Sequence, residues 1–179
     1  MIYEFCAENV TLLEKAMQAG ARRIELCDNL AVGGTTPSYG VTKAAVELAS
    51  NYDTTIMTMI RPRGGDFVYN DLEISIMLED IRLTAQAGSQ GVVFGALTAD
   101  KKLDKANLEK LIAASKGMEI VFHMAFDDLS DEDQLEAIDW LSQAGVTRIL
   151  TRAGVSGDSL EKRFSHYHRI LEHAAGKIE

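Results

Sequence analysis

One short phrase recurs three times in this chain, each time where an amphipathic helix gives way to a short apolar strand. It reads glutamine-alanine-glycine at positions 18–20, 86–88 and 143–145. Glycine just after the last residue of a helix is a common stop signal, because it adopts the left-handed backbone conformation without steric cost. The repetition favours one repeated helix-to-strand turn, as a barrel of equivalent units uses.

Short apolar strands alternate with helices along the whole chain. The predicted strands are 2–6, 23–27, 55–60, 91–94, 119–123 and 148–151, with a seventh beginning at 177–179. Apolar residues at helical spacing predict helices over about 9–19, 41–50, 72–87, 105–114, 130–144 and 158–174. This rhythm is typical of parallel βαβ units.

We therefore predict an α/β fold, a (β/α)8 TIM barrel of which about six and a half βα units are present, as a single domain over residues 1–179. A doubly wound open sheet is the alternative, but no Gly-x-Gly-x-x-Gly turn follows the first strand. Eight units need about 200 to 250 residues, and an open parallel sheet would expose two strand edges. We expect a barrel that is C-terminally incomplete.

Composition argues against a nucleic-acid partner and against a membrane span. The net charge is −9 and no basic cluster stands out, so we expect no nucleic-acid partner. The chain has no apolar stretch of about 18 residues and no signal-peptide pattern at its start, so we expect no membrane span and a cytoplasmic location. In that setting its two cysteines, Cys6 and Cys27, are expected to be free thiols.

The first two predicted strands share the pattern Glu-x-Cys near their ends. Glu4 and Cys6 lie on the first strand, and Glu25 and Cys27 lie on the second. Residues two apart on a strand share a face, and the other face of each strand is apolar. We therefore expect both carboxylates and both thiols to point into the barrel, with Cys6 and Cys27 as candidate metal ligands.

The segment 61–67, Arg-Pro-Arg-Gly-Gly-Asp-Phe, follows the third strand. Two arginines on a proline-stiffened turn, followed by two glycines, can hold a carboxylate or phosphate through bidentate contacts and backbone N–H groups. Arg61, Arg63 and Asp66 are therefore predicted to bind a substrate. The two arginines are also the nearest candidates to pair with Glu4 and Glu25, since buried carboxylates need partners. A purely structural ion pair, or a loop that only caps the barrel mouth, is the alternative.

The fifth strand ends at His123, with Asp127 four residues later. This pair fits either a metal ligand with its hydrogen-bonded partner or an acid–base pair. With Glu4 and Glu25 these are the candidate catalytic residues, although a lone histidine beside an apolar run is more often structural. The histidines of the last helix are interpreted as solvated; they are His166, His168 and His173.

Two thiols, one imidazole and nearby thioethers form a soft donor set, which favours Cu(I) over hard cations. The thioethers belong to Met57, Met59 and Met124. Methionine in a strand is more often core filler, however. The spacing of the two cysteines does not by itself predict copper.

Several phrases resemble the CutC copper-homeostasis family. They are Glu-Leu-Cys at 25–27, Gly-Gly-Thr-Thr-Pro-Ser-Tyr-Gly at 33–40, Ile-Arg-Pro-Arg-Gly-Gly-Asp-Phe-Val-Tyr at 60–69, Phe-His-Met-Ala-Phe-Asp at 122–127 and Ile-Leu-Thr at 149–151. The Arg-Pro-Arg-Gly-Gly-Asp phrase is the most specific. The chain departs from the family where Met124 replaces an arginine and where Arg152 interrupts a Thr-Ser-Gly phrase.

The resemblance implies a (β/α)8 barrel, a cytoplasmic homo-oligomer and a role in copper homeostasis. The first hypothesis is that Cys6 and Cys27 bind copper(I), with His123 as a candidate further ligand. The alternative is a TIM-barrel enzyme acting on a small anionic substrate that bears a phosphate or carboxylate. In that case Arg61 and Arg63 bind the anion, and the candidate catalytic residues move protons. A barrel used only as an interaction scaffold is weaker, since it gives no reason for inward carboxylates. Whether the chain is an enzyme is left open at this stage.

Overall fold

Six parallel strands in sequential order form one curled sheet in the computed structural model, which describes residues 2–154 and 157–179. The strands are β1 Glu4–Glu8, β2 Arg23–Cys27, β3 Thr55–Met59, β4 Gly91–Phe94, β5 Glu119–Phe122 and β6 Arg148–Ile149. A doubly wound sheet would reverse the strand order part-way across. The sequential order is that of a (β/α)8 barrel, as predicted.

The helices follow the strands in strict alternation. They are α1 Leu13–Gln18, α2 Tyr39–Ala49, α3 Asp71–Ala87, α4 Lys105–Ala114, α5 Asp131–Gln143 and α6 Leu160–Ala174. Short 3-10 turns cover Leu30–Val32 and Met124–Asp128. Five of the six helices begin with a side chain that accepts a backbone N–H, as preferred caps do; the caps are Ser38, Asn70, Asp104, Ser130 and Ser159. None of the helices in the described residues is long and apolar enough to cross a membrane.

The repeated glycine behaves as the sequence predicts. Gly20, Gly88 and Gly145 have φ values of +97°, +88° and +90°, and each lies between the end of a helix and the next strand. A residue with a Cβ is strained in this conformation, whereas glycine is not. The same turn geometry thus recurs in three of the units.

The first unit differs from the prediction. β1 begins and ends two residues later than 2–6, and α1 begins at Leu13 rather than near residue 9. Asn9 and Leu12 have φ values of +53° and +57°, so the backbone leaves the helical region between them. The Asn9 N–H instead donates to the Cys27 carbonyl at 2.8 Å, which extends the pairing of β1 with β2.

The expected seventh strand is present only as a short pairing. Residues 177–179 have no strand assignment, yet the Ile149 N–H donates to the Glu179 carbonyl at 2.9 Å. The Glu179 N–H donates to the Thr147 carbonyl at 3.2 Å. The end of the chain therefore lies beside β6 in the position where the next strand of a barrel belongs.

The two faces of the sheet have different roles. The outer face packs against the helices and forms two large apolar clusters. The inner face carries a smaller cluster of Cys27, Met57, Met59, Val93 and Val121. Polar inner-face residues lie beside this cluster, so the barrel interior holds the candidate site.

Gly91 on β4 makes room for Met57 on the inner face. A Cβ at Gly91 would lie 2.0 Å from Met57 Cε and 2.7 Å from the Glu119 carbonyl oxygen. The thioether can move but the carbonyl is part of β5, so an added methyl group must distort the sheet. Overpacking of this kind costs about 1–3 kcal/mol.

We therefore expect Gly91→Ala to lower the free energy of unfolding by about 1–3 kcal/mol in urea titrations. Gly40→Ala is the matched control, because Gly40 lies in α2 and a Cβ there would meet only Ser38 Oγ, at 3.9 Å. That control should be neutral or stabilising by up to about 1 kcal/mol. Equal effects of the two substitutions would contradict the packing described here.

Candidate functional site

Cys6, Glu25 and Cys27 meet inside the barrel and are called the thiol cluster below. β1 and β2 pair with Cys6 opposite Glu25, and Cys27 is two residues further along the same face. The Cys6 thiol donates to Glu25 Oε1 at 3.4 Å, the Cys27 thiol lies 3.7 Å from the same oxygen, and the two sulfurs are 4.0 Å apart. Among the described residues, these three form the one group of cysteine, histidine and acidic side chains that could hold a metal ion.

Burial favours the protonated forms of Glu25 and Cys27. Glu25 is 7% exposed, and its pKa is raised mainly by burial, which the hydrogen bond from Cys6 only partly offsets. The pKa of the fully buried Cys27 thiol is also raised, first by its interaction with Cys6, then by burial and by the charge of Glu25. A cation that binds here must therefore displace protons.

A glycine loop covers the Cys27 thiol. Gly34 has a φ of +86°, and a Cβ at that position would lie 3.1 Å from Cys27 Sγ. The Arg61 guanidinium holds this loop, since it donates to the carbonyl oxygens of Val32 and Gly34 at 2.8 and 2.9 Å and to that of Gly65 at 2.7 Å. Arg61 is 4% exposed and thereby joins the loop after β2 to the loop after β3.

Arg63 has other partners. Its guanidinium pairs with Glu73 at 2.5 Å and with Asp66 at 3.0 Å, and it also donates to the Val68 carbonyl at 2.7 Å. The hydrogen bonds from Arg63 are the main cause of the lowered pKa values of Asp66 and Glu73. Arg63 and Asp66 thus bind each other and the start of α3.

The prediction that Arg61 or Arg63 neutralises the inward glutamates is wrong. Glu4 pairs with Arg23 on β2 at 3.2 Å, and Glu25 interacts with the two thiols. Both arginines lie beyond the end of β3 and bind groups there instead. Arg61 donates to loop carbonyls, and Arg63 pairs with Asp66 and with Glu73 in the first turn of α3.

His123 lies directly after β5 and is 3% exposed. Its Nδ1 accepts the Ala125 N–H at 3.2 Å, so in the neutral ring the proton lies on Nε2. Burial, and then the charge of Arg61, lowers the pKa of His123 to about 3. Nε2 has no hydrogen-bond partner among the described residues, and a buried unpaired donor costs about 1–3 kcal/mol.

Asp127 does not pair with His123, which corrects the prediction for these two residues. Its carboxylate accepts the Thr151 hydroxyl at 2.5 Å and the Arg152 N–H at 3.0 Å. Asp127 therefore ties the turn after β5 to the segment after β6. Arg152 also brings its Nε to 3.7 Å from this carboxylate.

The comparison with protein families decides the membership of the chain. The CutC family model matches residues 1–179. The chain belongs to the CutC family. A CutC family protein from Enterococcus faecalis is 51% identical over 99% of this chain and 85% of its own length. The human copper homeostasis protein cutC homolog is 40% identical over 99% of this chain and 62% of its own length.

Solved structures agree with the observed strand order. A structure described as that of a copper homeostasis protein CutC from Streptococcus agalactiae has a TM-score of 0.96 and 45% identity, and the alignment covers 100% of this chain and 85% of that one. An aldolase, QR15, has a TM-score of 0.70 at 15% identity over 100% of this chain and 77% of its own. This second likeness concerns the fold alone.

The CutC barrel brings together only part of the predicted site. Cys6, Glu25 and Cys27 form one group, whereas Glu4 and Asp127 have separate partners. Sequence reasoning missed the role of Gly34, whose backbone lies against the Cys27 thiol and whose carbonyl accepts a hydrogen bond from Arg61. The glycine pair at 33–34 was the available signal, since glycine often permits a close backbone approach.

Two histidines of α6 are also corrected, because they are not simply solvated. His166 Nε2 lies 2.7 Å from Gln134 Oε1, and His173 Nε2 lies 2.9 Å from Asp139 Oδ2. Both contacts dock α6 onto α5. These histidines therefore have a packing role between two helices.

The two thiols should differ in reactivity. Cys6 is exposed, whereas Cys27 is fully buried below Gly34 and its thiol pKa is raised. Because the thiolate is the reactive form, we expect N-ethylmaleimide to modify Cys27 more than about tenfold more slowly than Cys6. Peptide mass spectrometry measures both rates, and both should become similar in denaturant. Similar rates in the folded protein would contradict the burial of Cys27.

His123 should make stability depend on pH. Its folded pKa of about 3 lies below the ordinary value of 6.5. In the unfolded chain His123 therefore binds a proton below about pH 6.5. In the folded chain it stays neutral until the pH approaches 3. The free energy of unfolding should therefore decrease as the pH is lowered from about 6.5 to about 3, and His123 should contribute roughly 1 kcal/mol per pH unit.

The measurement is urea unfolding at several pH values between these limits. His123→Asn should flatten the slope relative to wild type, whereas His168→Asn, a change on the exposed side of α6, should keep it. An unchanged slope in His123→Asn would show that other groups account for the acid sensitivity.

Proposed function

We propose that this CutC protein acts in copper homeostasis and binds Cu(I) through Cys6 and Cys27, with Glu25 beside them. The observation that carries this proposal is the pair of sulfurs 4.0 Å apart, both next to one carboxylate oxygen. Thiolates are soft ligands, and soft ligands select Cu(I) over hard cations such as Mg²⁺ or Ca²⁺.

The sulfur separation fits one shared metal ion. With metal–sulfur bonds of about 2.3 Å, two sulfurs 4.0 Å apart enclose an angle of about 120° at the metal. An angle of this size leaves one side open for a third ligand. Glu25 Oε1 lies 3.4 Å from Cys6 Sγ and 3.7 Å from Cys27 Sγ, on a side shared by both sulfurs.

The charges of the thiol cluster also suit a monovalent soft cation. One Cu(I) and two thiolates carry a net charge of −1, and an ionised Glu25 would add a second negative charge in a buried place. The raised pKa of Glu25 favours the neutral acid, which can donate a hydrogen bond to a thiolate. Since binding releases thiol protons, the apparent affinity for Cu(I) should increase with pH.

The names of the relatives support the same role. The human relative is named a copper homeostasis protein cutC homolog, and the structure from Streptococcus agalactiae is described as a copper homeostasis protein. Two neighbouring free cysteines also fit a cytoplasmic location, which we propose together with the function. A homo-oligomer is proposed on the family resemblance alone.

The alternative, an enzyme that acts on a small anionic substrate, has less support. Its four candidate catalytic residues do not form one constellation, since Glu4 pairs with Arg23 and Asp127 with Thr151. Of the predicted anion-binding residues, Arg63 and Asp66 bind each other. Among these predicted residues, Arg61 and His123 contact the same Phe67 ring, and each keeps a donor that has no acceptor in the described part of the chain.

The test is a Cu(I) titration of the reduced protein against a competing chelator. The double variant Cys6→Ser/Cys27→Ser should lose at least about a hundredfold in affinity, because a hydroxyl is a poor ligand for Cu(I). Each single variant should lose affinity for Cu(I) by a smaller factor than the double variant, since it removes one of the two sulfur ligands and keeps the other. The affinity of the wild-type protein should increase with pH.

Ser142→Ala on α5 is the control for effects of a serine-sized change away from the site, because the Ser142 hydroxyl donates to the Asp139 carbonyl of its own helix, at 3.0 Å. Circular dichroism should show that every variant remains folded. Weak Cu(I) binding by the wild type, or equal binding by the double variant, would remove the thiol cluster from copper handling.

A further inference from the structure

The Arg61 side chain is a buried cation without an anionic partner. It is 4% exposed, and in the part of the chain that the structure describes no carboxylate forms an ion pair with it. Three loop carbonyls accept its Nη hydrogens, but Nε has no acceptor among the residues that the structure describes. Buried charges are normally paired, because an unpaired charge is costly to remove from water.

Two further donors beside this cation have no acceptor among the described residues. The Nε2–H of His123 is fully enclosed and has no acceptor among residues 2–154 and 157–179. The Tyr69 hydroxyl, 7% exposed and next to the Arg61 guanidinium, likewise has none, since an arginine can only donate. All three donors belong to residues at the carboxyl ends of β3 and β5 or in the loop that follows β3.

The Phe67 ring joins these groups. Its centroid is 4.7 Å from the His123 ring centroid and 5.0 Å from Arg61 Cζ. Phe67 is only half-buried, and its backbone is fixed because its carbonyl accepts the Leu97 N–H at 2.9 Å. Phe67 therefore contacts both Arg61 and His123 and is more exposed than either of them.

We infer that Arg61, His123 and Tyr69 form a binding site for a small oxyanion, a carboxylate or a phosphate group, at the mouth of the barrel. An oxyanion offers several acceptor lone pairs and a negative charge, which match three unused donors and one unpaired cation. The carbonyls that hold the guanidinium fix it before the ligand arrives, so little side-chain entropy is lost on binding. Arg63 has no part in this site.

The support for this site does not rest on copper binding. The thiol cluster uses the inner faces of β1 and β2, and none of its three residues donates to the oxyanion. The double serine variant should therefore bind oxyanions as the wild type does. Failure of the copper titration and failure of anion binding are thus separate results.

The experiment is a calorimetric titration of the full chain with inorganic phosphate and, separately, with acetate, at constant ionic strength. His123→Asn should weaken binding at least about tenfold, because the asparagine oxygen can still accept the Ala125 N–H but the Nε2 donor is lost. Tyr69→Phe should weaken binding by a smaller factor. Arg82→Gln, which removes a cation from the exposed surface of α3, should not change it.

Phosphate binding alone identifies a phosphate ligand, acetate binding alone a carboxylate, and both outcomes support the site. A second readout needs no variant: the ¹⁵N–¹H signal of His123 Nε2 should shift on addition of the bound anion. No binding of either anion, equal weakening in Arg82→Gln, or a crystal structure with phosphate in which water alone meets these donors would overturn the proposal.

Discussion

The alternation of side chains along paired parallel strands determines which groups meet inside this barrel. Because Cys6 lies opposite Glu25 on β2, and Glu25 lies opposite Met57 on β3, one level of the interior contains a thiol, a carboxylate and a thioether. A shift of one residue in either pairing would turn these groups outward toward the helices. The candidate metal site therefore depends on strand register before it depends on any loop.

Much of this fold is readable from the sequence, since apolar periodicity and glycine stops locate the units. The bounds of β2, β4 and α4 agree with the predicted bounds residue for residue. The errors lie at element boundaries that are set by a backbone conformation which the residue type does not favour. Leu12 adopts the left-handed backbone conformation in the structure although leucine has no preference for that region. Its residue type therefore does not predict the late start of α1.

One part of the candidate site can likewise be predicted from the sequence and another part cannot. The two-residue spacing of Glu25 and Cys27 predicts a shared face, and the neighbouring strand supplies Cys6, so the thiol cluster follows from the sequence. The partners of Arg61 do not follow, because they are backbone carbonyls of residues 32, 34 and 65 and every residue has a carbonyl. Only the path of two loops reveals which of them an arginine can reach.

That path also links the two proposed sites. Gly34 accepts a hydrogen bond from Arg61 on one side and packs against Cys27 Sγ on the other. Cu(I) bound by two thiolates would add a net negative charge below this loop, and an oxyanion at Arg61 would add another above it. Two like charges in a poorly solvated interior repel each other. If both sites bind as proposed, each ligand must weaken the other by the same factor, because coupling between sites is reciprocal. An oxyanion bound at Arg61 would then favour release of copper from the thiols.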